Sequence, residues 1–349
     1  MRRIFTLATA ALLLATLPAP AQKQADASLA AHVRADMDFL ASDELHGRGS
    51  ITRDEHLAAQ YCAAVFEGLG LKPAGDDGTY LQKIPVDLSG MSARGKQRLA
   101  VYEDAPRNET WNAVAILPGT DPRLKDEVIL LTAHLDHLGV LKTPVNGDAI
   151  NNGADDDASG TTAVLNLART LAAGKAPKRT VVFALFGSEE MGGYGAKGFL
   201  AKPPVPLQNL VANLEFEMIG RPDPLVPNGT LWLTGYERSN LGPELAKHGA
   251  KLVADPHPKE NFFMRSDNIA LARKGIVAQT VSSFGLHTDY HHVTDELRTI
   301  DFPYMTSAIA GMETSVRWLT DTSWRPEWLP GGKPDPNPAP PAAAPPVTK

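Results

Sequence analysis

The chain of 349 residues contains one cysteine, Cys62. This excludes an internal disulfide, a cysteine-rich zinc module and an iron–sulfur cluster. A basic excess is also missing: 34 Lys and Arg against 40 Asp and Glu leave a net charge of −6 with no basic stripe, so nothing favours nucleic acid as a partner. Beyond the first residues no apolar run is long enough to cross a bilayer, and no internal repeat is visible. What is there, 43% hydrophobic and 21% charged residues, is the composition of a globular chain long enough for one large domain or two smaller ones.

The two ends differ from the middle. Arg2 and Arg3 precede an apolar stretch from Ile4 to Leu17, and Ala19-Pro20-Ala21 is an A-x-A cleavage pattern. Together they predict an export signal over residues 1–21 and a periplasmic or secreted mature chain beginning near Gln22. No cysteine follows the cleavage site, which argues against a lipoprotein anchor. Residues 325–349 are rich in Pro and Ala and are expected to be disordered, because they bury too little apolar surface to offset ordering entropy. The folded domain is expected over residues 25–324.

Leu29 to Leu40 and Asp54 to Leu69 have helical spacing. Strands are expected at Tyr80 to Val86, Trp111 to Leu117, Glu127 to Ala133, Arg179 to Phe186, Leu210 to Met218, Leu231 to Thr234 and Ile276 to Val281. Helices are expected at Gly160 to Ala173, Gly195 to Ala201, Asn240 to Gly249, Ser266 to Lys274 and Pro303 to Leu319. Continuous apolar strands alternating with helices predict an α/β fold whose sheet is covered on both faces. In such sheets the site lies at the carboxyl ends of the strands.

Every cluster of chemically able side chains sits at such an end. The strand ending at Thr132 runs into His134-Leu135-Asp136-His137, where the His-x-Asp spacing lets Asp136 orient the His134 ring. His137 faces the other way in an extended chain and falls outside the expected set. The strand ending at Phe186 runs into Glu189-Glu190, one suited to hold a metal while its neighbour serves as base toward water. Glu215 and Glu217 share one face of the next strand. Glu217 lies nearer the carboxyl end, and the deeper Glu215 needs a partner such as Arg or Lys. After Val281 come His287, His291 and His292 among acids. Asn151 to Gly160 contains Asp155-Asp156-Asp157, which alone reads as a solvated turn and helix cap. A His/Asp/Glu set without thiolate suits zinc or another first-row divalent ion. Two ions about 3.5–4 Å apart need a shared carboxylate, and Asp156 is placed to supply it.

Taken in order, several stretches resemble the co-catalytic dizinc aminopeptidases, whose superfamily also holds glutamate carboxypeptidase, glutaminyl cyclase and the transferrin receptor ectodomain. These are Phe39 to Gly49, Leu69 to Gly75, Ala133-His134-Leu135-Asp136-His137-Leu138-Gly139, Gly153 to Gly160, Ser188-Glu189-Glu190, Ser266-Asp267 and Tyr290-His291. The resemblance covers most of the chain after residue 25 and implies a mixed, largely parallel central sheet with helices on both faces, of the phosphorylase/hydrolase type. It implies two zinc ions: His134 and Glu190 on one, Glu217 and His291 on the other, Asp156 bridging three positions before Ser159. It further implies Glu189 as general base, Asp136 as support of His134, Tyr290 as partner of the oxyanion, and a cis peptide after Asp156. Asp157 is expected to fix the turn and Asp155 to be the most dispensable of the three.

Two positions depart from the family pattern. Glu217 stands where relatives commonly have Asp before Met-Ile-Gly, and Asn268 where many have His after Ser-Asp. The protease-associated domain that some relatives insert is absent, since Val86 to Trp111 is too short for it. The implied activity is an exported metallo-aminopeptidase acting on peptides. The alternatives are a carboxypeptidase, for which Arg221, Arg265 and Arg273 are available, a one-zinc glutaminyl cyclase, or a receptor-like ectodomain that has lost its ligands. Phe262, Phe263 and Met264 serve equally as wall of a side-chain pocket or as core.

Overall fold

A computed structural model describes residues 19–102 and 108–337. The helices are α1 (Ala19–Leu40), α2 (Arg53–Gly68), α3 (Ala93–Leu99), α4 (Gly160–Ala173), α5 (Tyr194–Ala201), α6 (Leu241–Lys247), α7 (Asn268–Arg273) and α8 (Phe302–Asp321). The strands are β1 (Lys72–Pro73), β2 (Leu81–Pro85), β3 (Glu109–Leu117), β4 (Val128–His134), β5 (Gly139–Val145), β6 (Asp148–Asn151), β7 (Thr180–Phe186), β8 (Leu210–Phe216), β9 (Leu231–Leu233), β10 (Leu252–Ala254) and β11 (Val277–Ser282).

The main sheet runs β1-β3-β7-β4-β8-β11-β9-β10, with β2 paired to β3. Its centre, β7-β4-β8-β11, is parallel, and antiparallel pairings join β3 to β7 and β9 to β11. Mixed pairing with a parallel centre is the sheet expected from the sequence. The apolar runs are continuous because both faces are covered. Along β7, Val181, Phe183 and Leu185 enter the core under α1, α2, α4, α6 and α8, while Val182, Ala184 and Phe186 enter the second core under α5 and α7. Side chains two apart share a face, so a strand packed on both sides has no position for a polar residue.

Helix starts follow local chemistry. Thr52 caps α2 by accepting from the Asp54 and Glu55 N–H groups, and Asp301 caps α8 by accepting from Tyr304 N–H. α4 has no exposed face over its first nine residues, because it sits between the sheet and α1 and α8.

Three features differ from expectation. Residues 325–337 are not a loose tail up to their described end. Trp328 bridges to Ser239, donates its indole N–H to the Gly275 carbonyl at 3.1 Å and packs on Phe263, and Arg325 pairs with Glu127. The aromatic rings of Trp324 and Trp328 supply burial that the Pro/Ala composition concealed. Residues 338–349, like most of the predicted export signal, lie outside the described residues. The β5–β6 hairpin and α3 were also missed. For the hairpin a signal was present: Asn146-Gly147 between Val145 and Asp148, both with positive φ, is the dipeptide that closes a two-residue hairpin.

Candidate metal centre

β4 ends at His134, and its ring stands against the central aspartate, with Nε2 3.2 Å from Asp156 Oδ1. The other oxygen, Oδ2, lies 3.2 Å from His291 Nε2. The two faces of one carboxylate therefore serve two groups of donors. His134, Asp156 and Glu217 form the first, with one ligand atom from each lying within 4.8 Å of the others. Asp156, Glu190, His137 and His291 form the second: Glu190 Oε1 lies 3.0 Å from His137 Nδ1 and 3.1 Å from His291 Nε2.

The pairing expected from the resemblance, His134 with Glu190 and Glu217 with His291, is exchanged. Sheet register explains why. Thr132 of β4 is level with Glu215 of the parallel neighbour β8, so two residues further His134 and Glu217 meet. Glu190 lies four residues beyond β7, and its loop carries it across to His291. His137, expected to be incidental, is fully buried in the second group, and neither ring nitrogen has a hydrogen-bond partner. The chain bends after Asp136, so strand alternation does not apply there. Gly153 makes the bend possible: it has a φ of +58°, and a Cβ on it would lie 2.5 Å from the His137 ring.

Asp156 owes its position to its two neighbours. Asp157 accepts from the N–H groups of His134, Gly160 and Met218, tying β4, α4 and the end of β8 to one side chain. Asp155, expected to be dispensable, is fully buried. It accepts from Gly220 N–H at 2.7 Å and from Ser159, and faces His287 Nε2 at 2.9 Å. Asp295 accepts in turn from the N–H groups of Asp155 and Asp156. The Asp156–Asp157 peptide is cis, as the resemblance implied.

Asp136 also differs from its expected contact. His134 Nδ1 lies 3.2 Å from the Asp136 carbonyl oxygen and 3.6 Å from its carboxylate. The carboxylate accepts instead from the N–H groups of Glu189 and Glu190 and from the Ser50 hydroxyl. It thus holds the loop that presents both glutamates. Glu215, for which Arg or Lys was expected, accepts from Asn268 N–H at 2.6 Å and the Thr280 hydroxyl. Burial and the nearby Glu217 push its carboxyl up to about 7. A neutral acid needs no cation, and Asn268 is a buried residue of this support.

Arg48 was not singled out by the sequence. It is fully buried and donates to the carbonyls of Leu40, Leu135, Asn152 and Gly153, clamping three loops beneath the site. The signal for it lay in its place within a Gly-rich polar loop.

Beside the two donor groups opens a cavity. Asp156, Glu189, Glu190, Glu217 and His291 form one wall, and Met218, Trp232, Phe262, Phe284 and Tyr290 form the others. Its floor includes Thr234, Thr280 and Ser282, all buried on or beside β9 and β11. Phe263 and Met264 belong to the core instead. Tyr290 stacks on His291 at 3.8 Å between ring centres, and burial raises its hydroxyl pKa. Of the three arginines considered for a carboxylate, Arg221 is committed to Asp155, Asp289 and Asp295, and only Arg265 lines the cavity, above Phe262.

Desolvation pushes the Glu189 carboxyl well above its ordinary value against the pull of His134, and Asp267, Glu190 and Glu217 push it further. So many carboxylates facing few cations are unfavourable unless positive charge joins them. The orphaned Glu190 Oε1 and His137 nitrogens, together with an all-N/O donor set, fit divalent zinc.

Residues 112–313 match the model of peptidase family M28. The chain belongs to this family of metallopeptidases. It is 33% identical over 116 residues to leupeptin-inactivating enzyme 1 of Streptomyces exfoliatus, a match covering 33% of this chain and 24% of that protein. It is 39% identical over 108 residues to a probable zinc metalloprotease of Pyrenophora tritici-repentis, covering 31% and 24%. The chain thus spans about a quarter of the length of these curated relatives. Its fold resembles the aminopeptidase of Aneurinibacillus sp. strain AM-1, with a TM-score of 0.60, 16% identity, and coverage of 86% of this chain and 95% of that one. It also resembles a zinc aminopeptidase of Bacillus subtilis, with a TM-score of 0.59, 16% identity, and coverage of 84% and 95%.

Proposed function

We propose that the chain is an exported aminopeptidase that binds two zinc ions and removes single residues from the N terminus of peptides. The observation that carries this reading is the shared Asp156 carboxylate, with a donor group on each oxygen, beside a cavity whose floor is buried strand. A cavity closed by the sheet admits a chain end and not a passing chain, which suits an exopeptidase. In this reading His134 and Glu217 hold one ion, Glu190 and His291 the other, and His137 lends the second its buried imidazole. Zinc so held polarises a carbonyl and lowers the pKa of water toward neutrality.

The protein's own groups do the rest. Glu189, held by Asp136 through its N–H, takes the proton of the attacking water and returns it to the leaving amine. The Tyr290 hydroxyl donates to the oxyanion of the tetrahedral intermediate. The carboxylates along the cavity wall receive the substrate's α-ammonium. Met218, Trp232, Phe262 and Phe284 surround an apolar first side chain. Replacing Glu189 with Gln is expected to lower turnover of aminoacyl-nitroanilides by roughly 10²–10⁴-fold while the metal content is kept. Full activity in a zinc-loaded Glu189→Gln protein would overturn the base assignment.

Arg265 on the cavity wall favours one second reading, a carboxypeptidase. N-acetylated peptides with a free C terminus, offered beside aminoacyl-nitroanilides, separate the two. Export follows from the N-terminal pattern, and N-terminal sequencing of the mature protein tests cleavage near Ala21.

A further inference from the structure

A second depression meets the centre from the opposite side. It lies between α3, the β5–β6 hairpin and the loop carrying His291, and its walls include Arg98, Leu138, Val140, Lys142 and Val145. His291 lines both this groove and the catalytic cavity, so the two are continuous through the second donor group. Their floors differ. The cavity ends on buried strands, while the groove is bordered by a hairpin that is exposed from Lys142 to Val145.

Their charge differs as well. The cavity wall is dominated by carboxylates. The groove carries two cations: Arg98, whose Nη1 lies 3.7 Å from Glu190 Oε2 and donates to the Glu190 carbonyl, and Lys142, which has no ion-pair partner among the described residues. Its acid, Asp289, is already paired with Arg221.

We infer that this groove receives the leaving part of the peptide, and that Arg98 and then Lys142 bind its terminal carboxylate when that part is one or two residues long. The inference rests on the aminopeptidase reading and names the substrate class: short peptides with a free C terminus. Arg98 borders Glu190, so it stands within about one extended residue, roughly 3.5 Å, of where the scissile bond must lie. Lys142, further along the groove on β5, is reached by a second residue. Val140 and Val145 offer apolar contact to the side chains between. A guanidinium–carboxylate contact is charge-assisted and directional, so it discriminates a free acid from an amide at the same position.

The test uses zinc-loaded full-length protein and a dipeptide analogue with CH₂–NH in place of the peptide bond, which cannot be hydrolysed, as free acid and as amide. Calorimetry is expected to find the acid bound about tenfold more tightly, and Arg98→Gln to reduce that ratio to below twofold. Lys142→Gln, which touches no donor residue, is expected to do the same for the tripeptide analogue while leaving the dipeptide ratio as it was. Equal binding of acid and amide by the unaltered protein overturns the inference. So does an Arg98→Gln variant that weakens both alike, since that effect would pass through Glu190 alone. Leucyl-nitroanilide has no peptide on its leaving side, so its hydrolysis reports the aminopeptidase reading separately. A protein that cleaves it yet ignores the carboxylate retains the first reading and loses the second.

Discussion

The centre of the sheet and the structure that overhangs it are built on different principles. At the centre, β4, β7 and β8 are buried on both faces, and their ends deliver His134, Glu190 and Glu217 to one point. The overhang of α3 and the β5–β6 hairpin has little core of its own and is exposed along much of its length. The centre fixes positions to within a hydrogen bond, because packing and backbone register leave no slack. The overhang shapes access and contributes charge, and its residues have room to move. Chemistry should therefore be brittle toward changes at the centre, and substrate preference should respond to changes in the overhang.

The largest expected effect is at the shared carboxylate. Asp156→Asn should abolish peptidase activity and lower the bound zinc below that of the unaltered protein, read by metal analysis; retention of both ions and of activity would break the comparison. Next comes the clamp below the centre. Arg48→Met strands the carbonyls of Leu40, Leu135, Asn152 and Gly153 and should cost at least about 3 kcal/mol of stability, seen as a lower urea midpoint. Asp136→Asn, which loosens the loop bearing Glu189 and Glu190, should reduce zinc affinity or turnover by about 10–100-fold.

A smaller effect concerns Glu55, which joins α2 to the sheet by accepting from Ile51 N–H and from the Thr110 and Ser188 hydroxyls. Burial, with Asp136 nearby, raises its carboxyl well above the ordinary 4.5. The folded state thus holds a proton that the unfolded state releases, and stability falls as pH rises above that ordinary value. Glu55→Gln should flatten this fall, measured as unfolding free energy from pH 4 to 8. The smallest effect lies in the overhang. Gly147→Ala, at a φ of +90°, should strain the hairpin turn by about 1 kcal/mol while shifting the midpoint of the whole domain little.

The same contrast decided what could be read from the sequence. Strands covered on both faces must be apolar throughout, so β4, β7, β8 and β11 were legible within a residue or two. The residues brought together at their ends were legible too. Their partnership was not, because it depends on which strands are neighbours and in what register, and the Thr132–Glu215 alignment is a property of the folded sheet. His137 was misjudged because alternation was extended past the end of β4. Asp155 and Arg48 were undervalued because their partners are backbone groups and distant side chains that no local pattern announces. In the overhang, α3 has a weak apolar pattern, and only the Asn-Gly turn betrayed the hairpin.

The three consecutive aspartates also govern how this site can change over evolutionary time. Each grips a different part of the molecule: Asp155 the Gly220 N–H, Asp157 those of His134, Gly160 and Met218, and Asp156 the histidines of both donor groups. Inserting or deleting one residue within this run would hand every one of those partners to the wrong side chain. Surface loops elsewhere can lengthen and shorten without that penalty. Length variation among descendants of this chain should accordingly accumulate everywhere except in these three positions, and an alignment gap there would mark a descendant that has given up the site.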